Sequence, residues 1–144
     1  MASPGARSTS KRCKSRARID PVTANQHRGK RSHIAGEVAE EIALRAYEQR
    51  GYRLAEKRWR GPHGEIDLIL RKGDEVIFAE VKSSDSRDLA IARITPRQME
   101  RILASAAVFL EGEPQGQLTE TRLDVVLVWG AGEVEILENA YGHG

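Results

Sequence analysis

Cysteine is almost absent from the sequence: Cys13 is the single example among 144 residues. This excludes both an intrachain disulfide framework and a multi-cysteine metal site. No uncharged run approaches the ~18–20 apolar residues that a membrane-spanning helix needs. The N-terminal region also lacks the apolar stretch of a secretory signal. From these absences we expect a protein of the reducing cytoplasm that does not associate with membranes.

Charge is unevenly distributed along the chain. Residues 1–33 contain nine Lys or Arg and one acid, Asp20, for a net charge of +8, whereas the remaining residues contain fourteen basic and twenty acidic side chains, for −6. The first segment has few large aliphatic residues, so it cannot bury enough surface to offset the entropy of ordering. We predict a disordered basic extension over 1–33 and a single domain over 34–144. The extension would either supply phosphate affinity or be solvated without a role.

Hydrophobic periodicity predicts a mixed helix and strand pattern in the second segment. The predicted order is α-β-β-β-α-β-β, an α/β fold with a mixed central sheet flanked by helices. Thr95 is a suitable N-cap for the second helix, with Pro96 at its first position. The predicted helices cover 34–50 and 95–112, the predicted strands cover 52–59, 65–70, 76–82, 122–129 and 134–137, and residues 83–93 are predicted as a polar loop.

Charged residues interrupt two neighbouring apolar strands. Asp67 lies in the first of them, and Glu80 and Lys82 lie in the second. An ionised carboxylate in a central strand costs several kcal/mol unless it is paired or binds a metal. These three charges therefore need a common explanation.

The connecting turn predicts the pairing of these strands. Gly73-Asp74 suits the two central positions of a type II′ hairpin turn, and this register places Asp67 opposite Glu80. Cross-strand partners share a face, with Cβ atoms ~5 Å apart. Because side chains alternate along a strand, Lys82 lies on the same face as Glu80, and we expect that face to meet the first helix.

Two carboxylates and one ammonium group on one face allow two interpretations. The carboxylates repel each other unless a cation neutralises them, and Mg²⁺ is commonly held by one or two carboxylates with several waters. With a lysine beside them, this set is typical of metal-assisted phosphodiester hydrolysis. The alternative is a structural salt bridge of Lys82 with Asp67 or Glu80.

The same residues carry a family resemblance. The run Gly64–Ile69 (GEIDLI), followed by Phe78–Lys82 (FAEVK), closely resembles the YraN-like family of small bacterial proteins. The other matching segments within residues 34–129 are Gly36-Glu37, Gly51-Tyr52, Arg58-Trp59-Arg60, Thr95–Gln98 and Arg122–Val126. This family is similar to the restriction-endonuclease-like PD-(D/E)-x-K superfamily, nearest to archaeal Holliday-junction resolvases. The resemblance implies a mixed sheet flanked by helices and a metal-dependent nuclease site.

The resemblance also implies roles for individual residues. Asp67 and Glu80 match metal-binding carboxylates, and Lys82 matches the catalytic lysine. Glu37 matches an acid that the first helix adds to the metal centre, and Gln98 matches a polar residue bordering the site. The sequence departs from the family pattern at Ser83-Ser84, where a basic residue is usual, and at Arg97, where lysine is usual.

Two functions follow as expectations. The first is an endonuclease that uses Mg²⁺, or Mn²⁺, to hydrolyse phosphodiester bonds in DNA, including branched or junction DNA. The second is a nucleic-acid-binding module with the same fold and little or no catalysis. The partner is a nucleic acid in both cases, with DNA expected for the endonuclease. The oligomeric state is open, and a homodimer is compatible with the sequence.

Several residues keep alternative interpretations. Glu37 also fits a solvated acidic helix face. Asp124, in an apolar strand, fits either an ion pair or a site role. Four arginines fit either a phosphate-binding track or a generic basic rim: Arg87, Arg93, Arg97 and Arg101.

Overall fold

The structure, a computed structural model, describes residues 36–140 of the chain. The predicted disordered extension over 1–33 lies outside the described residues. The elements are α1 (36–49), β1 (Arg53–Gly61), β2 (Gly64–Lys72), β3 (Glu75–Ser84), α2 (Arg87–Ala92), α3 (Pro96–Leu110), a 3₁₀ turn (Gly116–Leu118), β4 (Thr121–Trp129) and β5 (Glu133–Leu137). The predicted mixed α/β architecture is confirmed.

The strands form one sheet in the order β1-β2-β3-β4-β5. The β3–β4 pair is parallel and the other neighbouring pairs are antiparallel. Parallel neighbours need a long crossover, and α2 and α3 provide it here. β3 is therefore central, with β2 on one side and β4 on the other.

The predicted hairpin register is confirmed over part of its length. Gly73 has φ +61°, as the first central position of a type II′ turn requires. The ladder runs from Lys72 paired with Glu75 to Leu68 paired with Ala79. It stops one pair short of the predicted Asp67–Glu80 position.

Helices cover both faces of the sheet. On one face, α1 contributes Ala43 and Tyr47 to a cluster that contains Leu68 and Ile77 of the sheet. On the other face, α3 packs against a second set of buried sheet residues, which includes Ile66, Phe78, Val125 and Leu127. The burial of the central strands on both faces explains their nearly continuous apolar runs.

The crossover contains one helix, α2, that was not predicted from the sequence. The segment predicted as a polar loop over 83–93 contains the end of β3 and the six-residue helix α2. The Ser86 side chain caps α2 by accepting a hydrogen bond from Leu89 N. The predicted cap of α3 is confirmed, since Thr95 Oγ1 accepts from Gln98 N at 3.2 Å. Within residues 36–140, no helix has the length and apolar composition needed to cross a membrane.

Candidate functional site

The candidate site lies where β2 separates from β3. Beyond Leu68 and Ala79 the main-chain ladder between these strands ends, while β3 stays paired with β4 as far as Ser84 and Trp129. The Asp67 side chain occupies this opening, and its Oδ2 accepts a hydrogen bond from Val81 N at 2.8 Å. A side-chain carboxylate thus replaces the main-chain acceptor that a continued ladder would supply.

The alternation of side chains inverts at the same point. Ile66 packs on the α3 side of the sheet and Leu68 on the α1 side, although regular alternation places residues two apart on one face. Across the β1–β2 pair, Arg58 occupies the position opposite Asp67, between the pairs Lys57–Leu68 and Trp59–Ile66. Arg58 has φ +54°, an uncommon conformation for a non-glycine residue. Strained backbone of this kind is concentrated at functional sites.

Glu80, Lys82 and Gln98 meet on one face of β3. The Lys82 ammonium lies 3.1 Å from Glu80 Oε2, and Gln98 Nε2 donates to the same oxygen at 3.3 Å. Glu80 is 7% exposed, so the ion pair is largely shielded from solvent. Because Gln98 belongs to α3, the expectation that Glu80 and Lys82 face the first helix is wrong. The hairpin register places residues on a common face but does not tell which helix covers that face.

The surroundings of Asp67 disfavour its ionised form. Burial, and then the charge of Glu80, raise the pKa of Asp67 to about 7, although the hydrogen bond from Val81 N opposes the rise. The two carboxyl groups are also within hydrogen-bonding reach of each other. Among residues 36–140, no basic side chain lies within 4 Å of the Asp67 carboxylate. The arrangement therefore carries more negative charge than Lys82 neutralises.

The first helix places two acids near this opening. Glu37, the predicted site residue, is exposed with 53% of its side-chain surface accessible, and its carboxylate lies 3.9 Å from Arg58 Nη2. Glu40, one turn later, is 13% exposed and accepts from Arg58 Nε at 2.9 Å. The charge of Glu40 also contributes to the raised pKa of Asp67. Glu40 was not predicted as a site residue, and the one available signal for it was its spacing of three residues from Glu37.

The donor set is compatible with a hard divalent cation. Carboxylate oxygens, such as those of Asp67 and Glu80, are the ligands that Mg²⁺ prefers, and this ion commonly keeps several waters beside one or two carboxylates. In the part of the chain that the structure describes, no cluster of three His, Cys, Asp or Glu side chains is arranged to hold a metal. A two-carboxylate site therefore fits Mg²⁺ or Mn²⁺ better than a zinc ion, which takes three or four protein ligands.

Asp124, the other acid in an apolar strand, belongs to a separate network. It is 0% exposed and accepts from Tyr47 Oη at 2.7 Å, from Arg122 Nε at 2.8 Å and from Asn139 N at 2.9 Å. A second guanidinium nitrogen, Arg122 Nη2, donates at 2.9 Å. These contacts assign Asp124 to an ion pair, one of the two interpretations that the sequence left open.

Comparison with known proteins places the chain among its relatives. Residues 39–128 match the family model described as "Uncharacterised protein family UPF0102". A UPF0102 protein from Ruegeria sp. (strain TM1040) is 72% identical over 117 residues, covering 81% of this chain and 94% of the relative. Relatives from Ruegeria pomeroyi and Roseobacter denitrificans are 58% and 50% identical, over 81% and 85% of this chain and 95% of each relative. The chain belongs to the UPF0102 family, which corresponds to the YraN-like family that the sequence resembles.

Proposed function

We propose that the protein is a metal-dependent endonuclease that hydrolyses phosphodiester bonds in DNA, with Asp67 and Glu80 holding Mg²⁺ or Mn²⁺. The observation that carries the proposal is the uncompensated charge at the opening between β2 and β3. Lys82 pairs with Glu80, while burial and Glu80 raise the pKa of Asp67. In a purely structural arrangement, basic groups of the protein would neutralise both Glu80 and Asp67. A cation site requires negative charge that the protein itself does not neutralise.

Each residue has a role that follows from its contacts. The hydrogen bond from Val81 N fixes the direction of Asp67, and the amide of Gln98 fixes Glu80. The Lys82 ammonium lies beside Glu80, where it would orient a water and stabilise the charge that develops on a phosphate. Mg²⁺ bound by the two carboxylates would supply a Lewis acid that polarises a phosphoryl oxygen. Preference for branched or junction DNA rests on the resemblance alone.

The second candidate is a nucleic-acid-binding module without catalysis. It is supported by the Lys82–Glu80 pair, which already satisfies one carboxylate. Under this alternative the raised pKa of Asp67 favours its protonated form below about pH 7, and no divalent cation is needed.

The test combines metal binding with cleavage. The full chain is incubated with linear, supercoiled and four-way-junction DNA in Mg²⁺, in Mn²⁺ and in EDTA, and Mg²⁺ binding is measured by calorimetry. We expect metal-dependent cleavage in the wild type. Asp67→Asn should lose both binding and cleavage, and Lys82→Ala should lose cleavage while it retains Mg²⁺ binding.

Asp74→Asn is the matched control, because Asp74 is an exposed carboxylate at the turn of the same hairpin. This variant should behave as the wild type in both assays. DNA binding without cleavage and without Mg²⁺ binding would replace the proposal with the binding-module alternative. Unfolding of Lys82→Ala, with no response of the wild type to Mg²⁺, would assign the charges to a structural salt bridge.

A further inference from the structure

The site is bordered by helix α1 on one side, the α1 flank, and by helix α3 on the other, the α3 flank. These two flanks differ in the positive charge that they offer to a ligand. The α1 flank contains Glu37, Glu40 and Glu41. Its two basic neighbours are engaged by these acids, since Lys57 lies 2.7 Å from Glu41 and Arg58 lies 2.9 Å from Glu40. This flank therefore offers no surplus of positive charge to a polyanion.

The α3 flank carries guanidinium groups that are not neutralised. Arg97 and Arg101 are exposed, and among residues 36–140 neither lies within 4 Å of a carboxylate. They are four residues apart, so their side chains are neighbours on one side of the helix. Like charges at this spacing destabilise a helix, and within residues 36–140 neither guanidinium forms an ion pair that would offset this. Such a pair is available to an anionic ligand.

Contacts of α3 fix this pair beside the site. Gln98, adjacent to Arg97, reaches Glu80. The Arg101 side chain crosses Gly64 at the start of β2, where a Cβ on residue 64 would lie 3.3 Å from Arg101 Cδ. Ser105 Oγ donates to the Gly64 carbonyl at 3.3 Å. The helix is thus held between the β1–β2 turn and the carboxylates, and Arg97 and Arg101 are both exposed there.

The other two arginines of the candidate phosphate track are engaged elsewhere. Arg87 forms a two-pronged ion pair with Glu135 of β5, and Arg93 Nη1 donates to the Ser83 carbonyl at 2.7 Å. The structure therefore separates the four arginines into two that brace the fold and two that are free to contact a ligand.

We propose that a DNA strand bound at the site lies along the α3 flank, with Arg97 and Arg101 contacting its phosphates. This inference rests on the proposed function and assigns the path of the substrate. Phosphate contacts from arginine position a nucleic acid without reading its sequence. The interaction releases counterions, so its loss is visible in the salt dependence of binding.

The test measures binding of a fluorescein-labelled DNA duplex by anisotropy over a range of NaCl concentrations. Ca²⁺ is present as an oxygen-preferring cation. The double variant Arg97→Gln/Arg101→Gln should bind about tenfold more weakly than the wild type. The negative slope of log K against log salt should become less steep by about two. Because neither side chain has an ion-pair partner among the described residues and the two like charges repel, the melting temperature should not fall.

Arg53→Gln is the matched control. Arg53 is exposed, has no carboxylate within 4 Å among residues 36–140, and pairs with Arg71 at the opposite end of β1. It lies about 17 Å along the strand from Arg58, at 3.4 Å per residue. Its removal should leave the affinity and the salt slope unchanged, which shows that the loss in the double variant does not follow from the loss of any exposed arginine.

The outcomes separate this inference from the proposed function. If the wild type cleaves DNA and the double variant keeps the wild-type affinity and slope, the strand does not follow the α3 flank and only this inference fails. An equal loss in Arg53→Gln overturns it in the same way. If the wild type neither binds nor cleaves DNA, both the inference and the proposed function fail.

Discussion

Asp67 and Asp124 are two aspartates in apolar strands of the same sheet, and they differ in what surrounds them. Asp124 accepts hydrogen bonds from Tyr47, Arg122 and the main chain at Asn139. Asp67 accepts one, from Val81 N, and its neighbour is the carboxylate of Glu80, which raises its pKa. The charge of Asp124 is thus compensated within the protein, whereas the charge of Asp67 is not.

The difference separates a residue that maintains the fold from one that is available to a ligand. Burying a charge is tolerated when hydrogen bonds and an opposite charge compensate it, as around Asp124. At Asp67 the compensation is incomplete, and incomplete compensation beside a second carboxylate is typical of functional sites. The strand sequences alone do not distinguish the two cases, because both aspartates interrupt apolar runs.

The largest expected effect is on folding, at Asp124. Asp124→Ala removes the acceptor of four hydrogen bonds and leaves Arg122 without its buried partner, so it should lower the free energy of unfolding by ~3–5 kcal/mol. Urea denaturation monitored by circular dichroism measures this. Asp74→Ala, at an exposed turn, should change stability by less than ~0.5 kcal/mol. A stable Asp124→Ala protein that has lost Mg²⁺ binding would remove the distinction between the two aspartates.

The second prediction concerns ligand-linked stability at Asp67. If Asp67 and Glu80 hold Mg²⁺, the ion at one hundred times its dissociation constant should stabilise the wild type by ~2.7 kcal/mol. Asp67→Asn should lose this gain, and without metal it should be at least as stable as the wild type because a repulsive charge is removed. Urea melts with Mg²⁺ and with EDTA provide the measurement. An equal Mg²⁺ effect in Asp67→Asn would place the ion elsewhere.

The third prediction concerns Tyr47, which donates a hydrogen bond to Asp124 and tests whether Asp124 is independent of Asp67. Its hydroxyl, 2.7 Å from Asp124 Oδ2, is fully buried, and burial and Asp124 raise its pKa well above the usual value. Tyr47→Phe removes a hydrogen bond to a charged group and should cost ~2 kcal/mol of stability. Mg²⁺ binding by calorimetry should be unchanged. Weaker Mg²⁺ binding in this variant would indicate that the two aspartates are coupled.

Local chemistry made much of the fold predictable from the sequence. The Gly73-Asp74 turn fixed the pairing of β2 with β3, and Thr95-Pro96 fixed the start of α3. The short helix α2 was missed because six residues are too few to show a helical periodicity, although four of them are apolar, and Ser86 was its main signal. Local patterns determine pairing and capping, but a one-turn-and-a-half helix depends on packing against the sheet.

The candidate site was predictable in part for the same reason. Turn chemistry placed Asp67 near Glu80, but the covering helix and the contribution of Glu40 depend on how the layers assemble. The role of Asp124 depends on Tyr47, 77 residues away in sequence, and no spacing rule relates them. The left-handed Arg58 has no local signal, since arginine carries no preference for positive φ.

The last prediction is a pH dependence that belongs to Asp67, and its change between neighbouring half-unit steps, at most ~0.7 kcal/mol, is the smallest that the measurements must resolve. Its pKa in the folded protein is about 7, against an ordinary value of 3.8, so between pH 4 and pH 7 the native state binds more protons at this group than the unfolded state. Stability must therefore fall as pH rises through this window, by at most ~1.4 kcal/mol per pH unit. Urea melts in EDTA at half-unit steps measure the slope. Asp67→Asn should flatten the decrease of stability with pH, and Mg²⁺ should oppose that decrease in the wild type. A wild-type slope retained in Asp67→Asn would assign the titration to another group.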